Sequence, residues 1–80
     1  MRRLTVKEKE LVEYVAKMLV DKPEKVTVKE THGANVTVLE LHVDQEDMGR
    51  VIGKDGRVAN ALRTLLRVLA QERRVVLEIV

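Results

Sequence analysis

The sequence predicts an α+β domain: a three-stranded mixed sheet with three helices on one of its faces, in the order α-β-β-α-α-β. Three observations carry this. Apolar residues recur at helical spacing early in the chain, give way to β-branched stretches between residues 26 and 43, return to helical spacing up to residue 72, and end in a last β-branched run. No repeat, low-complexity tract or linker interrupts the 80 residues, so residues 1–80 read as one domain. A composition of 45% hydrophobic and 35% charged residues suits a chain that buries a core, not a disordered tail.

Thr5-Val6-Lys7-Glu8 is a capping-box pattern, and Leu11, Val12, Val15, Met18 and Leu19 follow at helical spacing until Asp21-Lys22-Pro23 stops them. A helix over residues 6–20 follows. Val26 and Val28 alternate with polar neighbours, and Thr31-His32-Gly33-Ala34-Asn35 supplies a turn before the β-branched stretch 36–43, which predicts a hairpin. Its second strand is apolar at 36 and 38 and then at 39, 41 and 43, a change of phase that either a bulge or partial burial of both faces would produce. Asp44 can cap a helix over 45–52 with Met48, Val51 and Ile52 as its stripe, ended by Gly53. Residues 57–72 form the longest helix, with Val58, Ala61, Leu62, Leu65, Leu66 and Leu69 as the apolar line. Residues 75–80 close the chain as a strand with little alternation, as for a strand buried on both sides or central in its sheet. Two helices bridging the second and third strands make a crossover, which sets those strands parallel and adjacent and leaves the first at an edge. Lys25, Thr27 and Lys29 suit such an edge.

Between the last two helices lies Val51-Ile52-Gly53-Lys54-Asp55-Gly56-Arg57. Two glycines three apart remove side chains from a tight connection and let another backbone approach. Amides in the first turn of the next helix, expected to face outward and unpaired at the positive end of its dipole, suit a phosphate. Lys54 and Arg57 add cations beside them. On the motif alone, a plain glycine-rich turn between two helices is the competing reading. The net charge of +2 is small but unevenly spread: residues 1–45 balance eight basic against eight acidic, whereas residues 46–74 hold seven basic against four acidic. Arg50, Lys54 and Arg57 are the best placed of these; Arg63 and Arg67, four apart, serve equally well as the solvated face of a helix.

That element order, with the GxxG motif between its last two helices, resembles a type II KH domain, in which the extra helix and strand come first. The opening Leu11-Val12-Glu13-Tyr14-Val15-Ala16-Lys17, the approach Glu46-Asp47-Met48-Gly49-Arg50-Val51-Ile52-Gly53 and the ending 75–80 are similar to the bacterial single-domain KH RNA-binding proteins of the KhpA or YlqC-like family, over nearly the whole chain. The resemblance implies a module that binds single-stranded RNA, clamping about four nucleotides at the loop. It implies little sequence specificity, since backbone contacts read no base, and a role as an RNA chaperone or post-transcriptional regulator. Carried over residue by residue, Gly53, Lys54, Asp55 and Gly56 contact the sugar-phosphate backbone, Arg50 and Arg57 flank the phosphates, and Val51, Ile52 and Val58 floor an apolar groove under the bases. Apolar residues at the helix spacing of those three are more often simply core, and Gly49 reads as a close-packing position. Asp55 departs from an ideal phosphate loop, because its carboxylate repels the ligand unless it points away or pairs with Lys54 or Arg57. Replacing both Gly53 and Gly56 by Asp is expected to abolish RNA binding and leave a folded domain. The alternative role is that of a dimerisation or interaction subunit, forming a homodimer or a heterodimer with a larger KH-domain protein.

Other classes fit less well. Tyr14 is the single aromatic residue, so recognition cannot rest on the stacking platforms of an RRM or an OB-fold. A helix-turn-helix has no need of two glycines and a basic loop. Single-stranded DNA in the same groove stays open, because no group for the 2′-hydroxyl stands out. With no Cys, no carboxylate at metal-ligand spacing from His32 or His42, and no base in evidence for Thr64, neither catalysis nor a cofactor is expected. Gly53-Lys54 lacks the spacing and the Lys-Ser/Thr ending of a P-loop. Apolar runs are too short to span a bilayer and Met1-Arg2-Arg3 leads into no signal-peptide core, so a cytoplasmic protein without membrane attachment is expected.

Overall fold

The computed structural model describes residues 8–71 and 73–80. Helix α1 (Glu8–Leu19) is followed by a 3-10 turn at Pro23–Lys25, strands β1 (Thr27–His32) and β2 (Val36–His42), helices α2 (Met48–Ile52) and α3 (Arg57–Ala70), and strand β3 (Arg74–Ile79). Thr5 of the capping box, and the expected helix start at residue 6, lie outside the described residues. The α-β-β-α-α-β order and the mixed three-stranded sheet are those the periodicities predict.

Strand β2 is central. It pairs antiparallel with β1, Val28 opposite Leu41, and parallel with β3, Leu39 opposite Leu77. Both registers run without interruption, so no bulge is present. The phase change comes from the other expected cause, burial on both faces. Thr37, Leu39 and Leu41 form one buried row, completed by a polar residue, while Val36 and Val38 on the opposite face are half-buried. The Thr37 hydroxyl lies 3.2 Å from His32 Nδ1, which satisfies it at the margin of the core. Strand β3 corrects its sequence reading: it is an edge strand, and only Leu77 within it is buried.

The helices turn other faces inward than their longest residues suggest. In α1, Val12 and Ala16 are fully buried, Leu11 and Val15 are half-buried beside them, and Tyr14 and Met18 are exposed. In α3 the buried line is Ala59, Leu62, Leu66 and Ala70, whereas Ala61, Leu65, Val68 and Leu69 are exposed. Small residues line a helix where it lies closest to its neighbours, so alanines take positions the leucine count assigns elsewhere. The expected helix over 45–52 divides into a 3-10 turn, Gln45–Asp47, and α2. Asp44 does cap it, accepting the Glu46 N–H at 3.0 Å.

Candidate nucleic-acid interface

The loop between α2 and α3 is set by its backbone. Gly53 has φ 79° and ψ 169°, a combination open essentially to glycine alone, and it ends α2 by donating its N–H to Gly49 O at 2.8 Å. Asp55 (φ 58°) and Gly56 (φ 77°) then take the left-handed conformation in succession. Asp is one of the few side chains that tolerate it, which gives Asp55 a conformational reason to be in the loop. A 3-10 turn over Lys54–Gly56 links directly into α3.

The amides differ from expectation. Gly56 N–H donates to Gly53 O at 3.1 Å and Arg57 N–H to Lys54 O, so the turn itself consumes the first amide of α3, one of those the sequence assigned to a ligand. The orphan donors of such a turn are those of its first residues, Lys54 and Asp55.

The two glycines are not equivalent. A Cβ at Gly53 would lie 2.6 Å from Val58 Cγ2 and 2.8 Å from the Val58 backbone nitrogen, whereas at Gly56 the nearest atom would be Asn60 Nδ2 at 3.6 Å. Gly53 therefore packs the loop against the first turn of α3, and Gly56 leaves room for a side chain at ordinary contact distance from Asn60. The expectation that a Gly53/Gly56 double Asp variant stays folded is corrected by that contact: the Gly53 half damages the packing itself.

Among the side chains, Lys54, Asp55 and Arg57 are exposed, and none forms an ion pair within 4.0 Å among the described residues. Asp55 is thus not neutralised by Lys54 or Arg57. Arg50 is engaged elsewhere, 3.3 Å from Asp21 and 3.8 Å from Asp47, on the side of the α1–β1 connection. Val51 is 0% exposed and belongs to the core, out of reach of any base. Ile52 is half-buried against that core, and Val58, half-buried, packs on Gly53. Gly49 is not a close-packing position, for a Cβ there would meet nothing within 4 Å.

The family profile described as KhpA/KhpB, KH domain, matches residues 9–79. The chain belongs to this KH-domain family. It is 54% identical over 74 residues to the RNA-binding protein KhpA of Clostridium perfringens, covering 90% of this chain and 99% of that one. It is 51% identical to the RNA-binding protein KhpA of Caldanaerobacter subterraneus subsp. tengcongensis, with 89% and 97% covered, and 51% identical to that of Aquifex aeolicus, with 89% and 92% covered. No solved structure matches the chain. No helix among the described residues is long and apolar enough to cross a membrane.

Two sets of residues in this KH domain escape sequence reasoning. Asp47 is 2% exposed and accepts the backbone N–H groups of Asp21 at 3.3 Å and Lys22 at 3.1 Å, which ties the entry to α2 to the α1–β1 connection. Nothing in the local pattern marks it, since its partners are more than twenty residues away. Arg63 is the second case. It donates from Nη2 to Leu77 O at 3.1 Å and from Nη1 to Asn60 Oδ1 at 3.3 Å, lying across the outer edge of β3 instead of in solvent. Knowing that β3 is an edge strand beside α3 is the signal that finds it.

Proposed function

We propose that this chain is a binding module for single-stranded RNA that holds the sugar-phosphate backbone at Gly53, Lys54, Asp55 and Gly56, with Arg57 beside them, and that it acts in the cytoplasm as an RNA chaperone or post-transcriptional regulator. The observation that carries the reading is the open, side-chain-free bend at Gly56, at the head of a 14-residue helix, flanked by two exposed cations without acidic partners among the described residues. The names of its relatives describe RNA binding and no reaction. Backbone contact at such a bend is sequence-tolerant, so affinity should depend on salt more than on base composition. The test is Gly56→Asp alone, which places a carboxylate in the niche at a conformation Asp can adopt. Fluorescence anisotropy with a labelled single-stranded RNA should show affinity reduced at least about tenfold while circular dichroism stays that of the parent; unchanged affinity in the folded variant refutes the loop as the site.

A second reading, an interaction subunit, has its own observation. Ala61, Leu65, Val68 and Leu69 form an exposed apolar flank of α3, and Tyr14 and Met18 are exposed on α1. Contiguous exposed apolar surface marks association sites. Pairing with a second copy, or with a larger KH-bearing protein, would cover it. Val68 is 68% exposed, so Val68→Glu should leave the fold intact and lower the mass seen by light scattering if the flank is an interface. A parent protein that is monomeric at every concentration, alone and with a KH-bearing partner, removes this reading.

A further inference from the structure

Ion pairs gather where the α1–β1 connection meets the entry to α2. Lys22 lies 3.6 Å from Asp44 and 3.4 Å from Glu46, and Arg50 lies 3.3 Å from Asp21 and 3.8 Å from Asp47. Of these residues Arg50 is the nearest to the loop. It precedes Gly53 by three residues, about 4.5 Å of helical rise, a distance its side chain spans.

The fold does not need Arg50 in this place. Buried Asp47 already accepts the backbone N–H groups of Asp21 and Lys22, so its carboxylate keeps partners when the guanidinium leaves. Asp21 holds 72% of its side-chain surface in water, so losing its cation leaves no charge stranded in the interior. Arg73 is the contrast. It answers the buried Glu8 at 2.6 Å and cannot swing away without leaving that carboxylate unpaired. An exposed pair such as Asp21–Arg50 is weak, and a phosphate offers oxygens that match the guanidinium fork. Arg50 is therefore the cation beside the loop that is held back by a contact the fold can spare.

We propose that Asp21 is an internal competitor of the RNA: in the free chain it draws Arg50 to the α1–β1 side, and a strand seated at the loop engages Arg50 only by displacing Asp21. The inference rests on the reading of the loop as the RNA site, and adds to it a residue outside the loop that lowers affinity. The strand is then held less tightly, and released more readily, than the cations around the loop would set by themselves.

The experiment measures fluorescence anisotropy with a labelled single-stranded RNA of mixed sequence on the parent, Asp21→Asn, Asp21→Glu, Arg50→Gln, the double variant Asp21→Asn/Arg50→Gln, Glu24→Gln and Gly56→Asp, with melting curves to confirm folding. Asn keeps the backbone N–H that Asp47 accepts, so Asp21→Asn should melt close to the parent. It should bind RNA about threefold more tightly, the scale of one exposed ion pair removed. Its slope of log affinity against log salt should steepen by at most about 0.7, one phosphate contact no longer offset by a freed carboxylate. Asp21→Glu keeps the charge and should bind like the parent. Arg50→Gln should bind more weakly, and in that background Asp21→Asn should change nothing. Glu24→Gln removes another exposed carboxylate of the same connection and should leave affinity where it was. A gain that persists in the Arg50→Gln background, or that Glu24→Gln reproduces, is long-range repulsion of the strand and overturns the proposal. An Asp21→Asn variant that binds like the parent overturns it as well. In these cases the loop reading stands if Gly56→Asp weakens binding. If Gly56→Asp binds like the parent while the Asp21→Asn gain still depends on Arg50, the loop reading falls and the competition stands.

Discussion

The upstream and downstream halves of the α2–α3 loop carry the same residue type under opposite constraints. Gly53 is wedged against the first turn of α3, where an added Cβ meets a backbone nitrogen at 2.8 Å, and α2 behind it is tied by the buried Asp47 to the α1–β1 connection. Gly56 opens towards Asn60 with ordinary contact distances. The difference separates two tasks that a GxxG motif merges on paper. The first glycine aims the loop, and the second keeps side-chain atoms out of the space where we propose the strand is held. Variants upstream should therefore cost stability first, and variants downstream should cost affinity first.

Gly53→Ala tests the upstream half most severely. It combines a backbone conformation that side chains avoid with a contact that cannot relax unless α3 moves, and should destabilise by about 3 kcal/mol. For a chain of this size that lowers Tm by about 15 °C. A melting point within a few degrees of the parent would show that the two glycines are interchangeable and dissolve the contrast. Asp47→Ala comes next. It leaves the Asp21 and Lys22 amides without their acceptor and empties a buried site, a loss of about 2 kcal/mol by denaturant unfolding. Its RNA affinity, measured where the variant is still folded, should stay closer to the parent value than that of Gly56→Asp.

How far these distinctions could be read beforehand depends on what fixes them. Element order, the parallel β2–β3 pair and the GxxG motif were legible, because periodicity, chain connectivity and glycine spacing are local properties. Which flank of α3 is buried was not. Leu62 and Leu65 look alike in the sequence, and only the approach of the sheet, close enough to need Ala59 and Ala70, turns one inward and the other outward. Thr37 misled for the same reason: a polar residue completes the buried row of β2. Long-range partners of the arginines were equally out of view: Asp21 lies 3.3 Å from Arg50, and Leu77 O on the β3 edge accepts from Arg63.

Asp55 sharpens the downstream half. Its left-handed backbone explains a residue whose charge works against phosphate binding, and Asn accepts the same conformation without the charge. Asp55→Asn should raise RNA affinity about twofold, the scale of one exposed charge interaction, with the gain shrinking as salt rises. Reduced affinity instead would mean that the carboxylate takes part in binding.

Gly49 supplies the cleanest control. It lies in α2, upstream of the bend, but unlike Gly53 it has no positive φ, and a Cβ there meets nothing within 4 Å. Its carbonyl accepts the Gly53 N–H, a bond that Ala preserves. Gly49→Ala should therefore stabilise the chain by about 0.5–1 kcal/mol, because alanine loses less backbone freedom in a helix. Stiffening α2 without touching the ligand side should leave RNA affinity where it was. A stabilised variant with weakened binding would instead show that α2 must flex for the strand to enter, so that the upstream half contributes more than the aim of the loop.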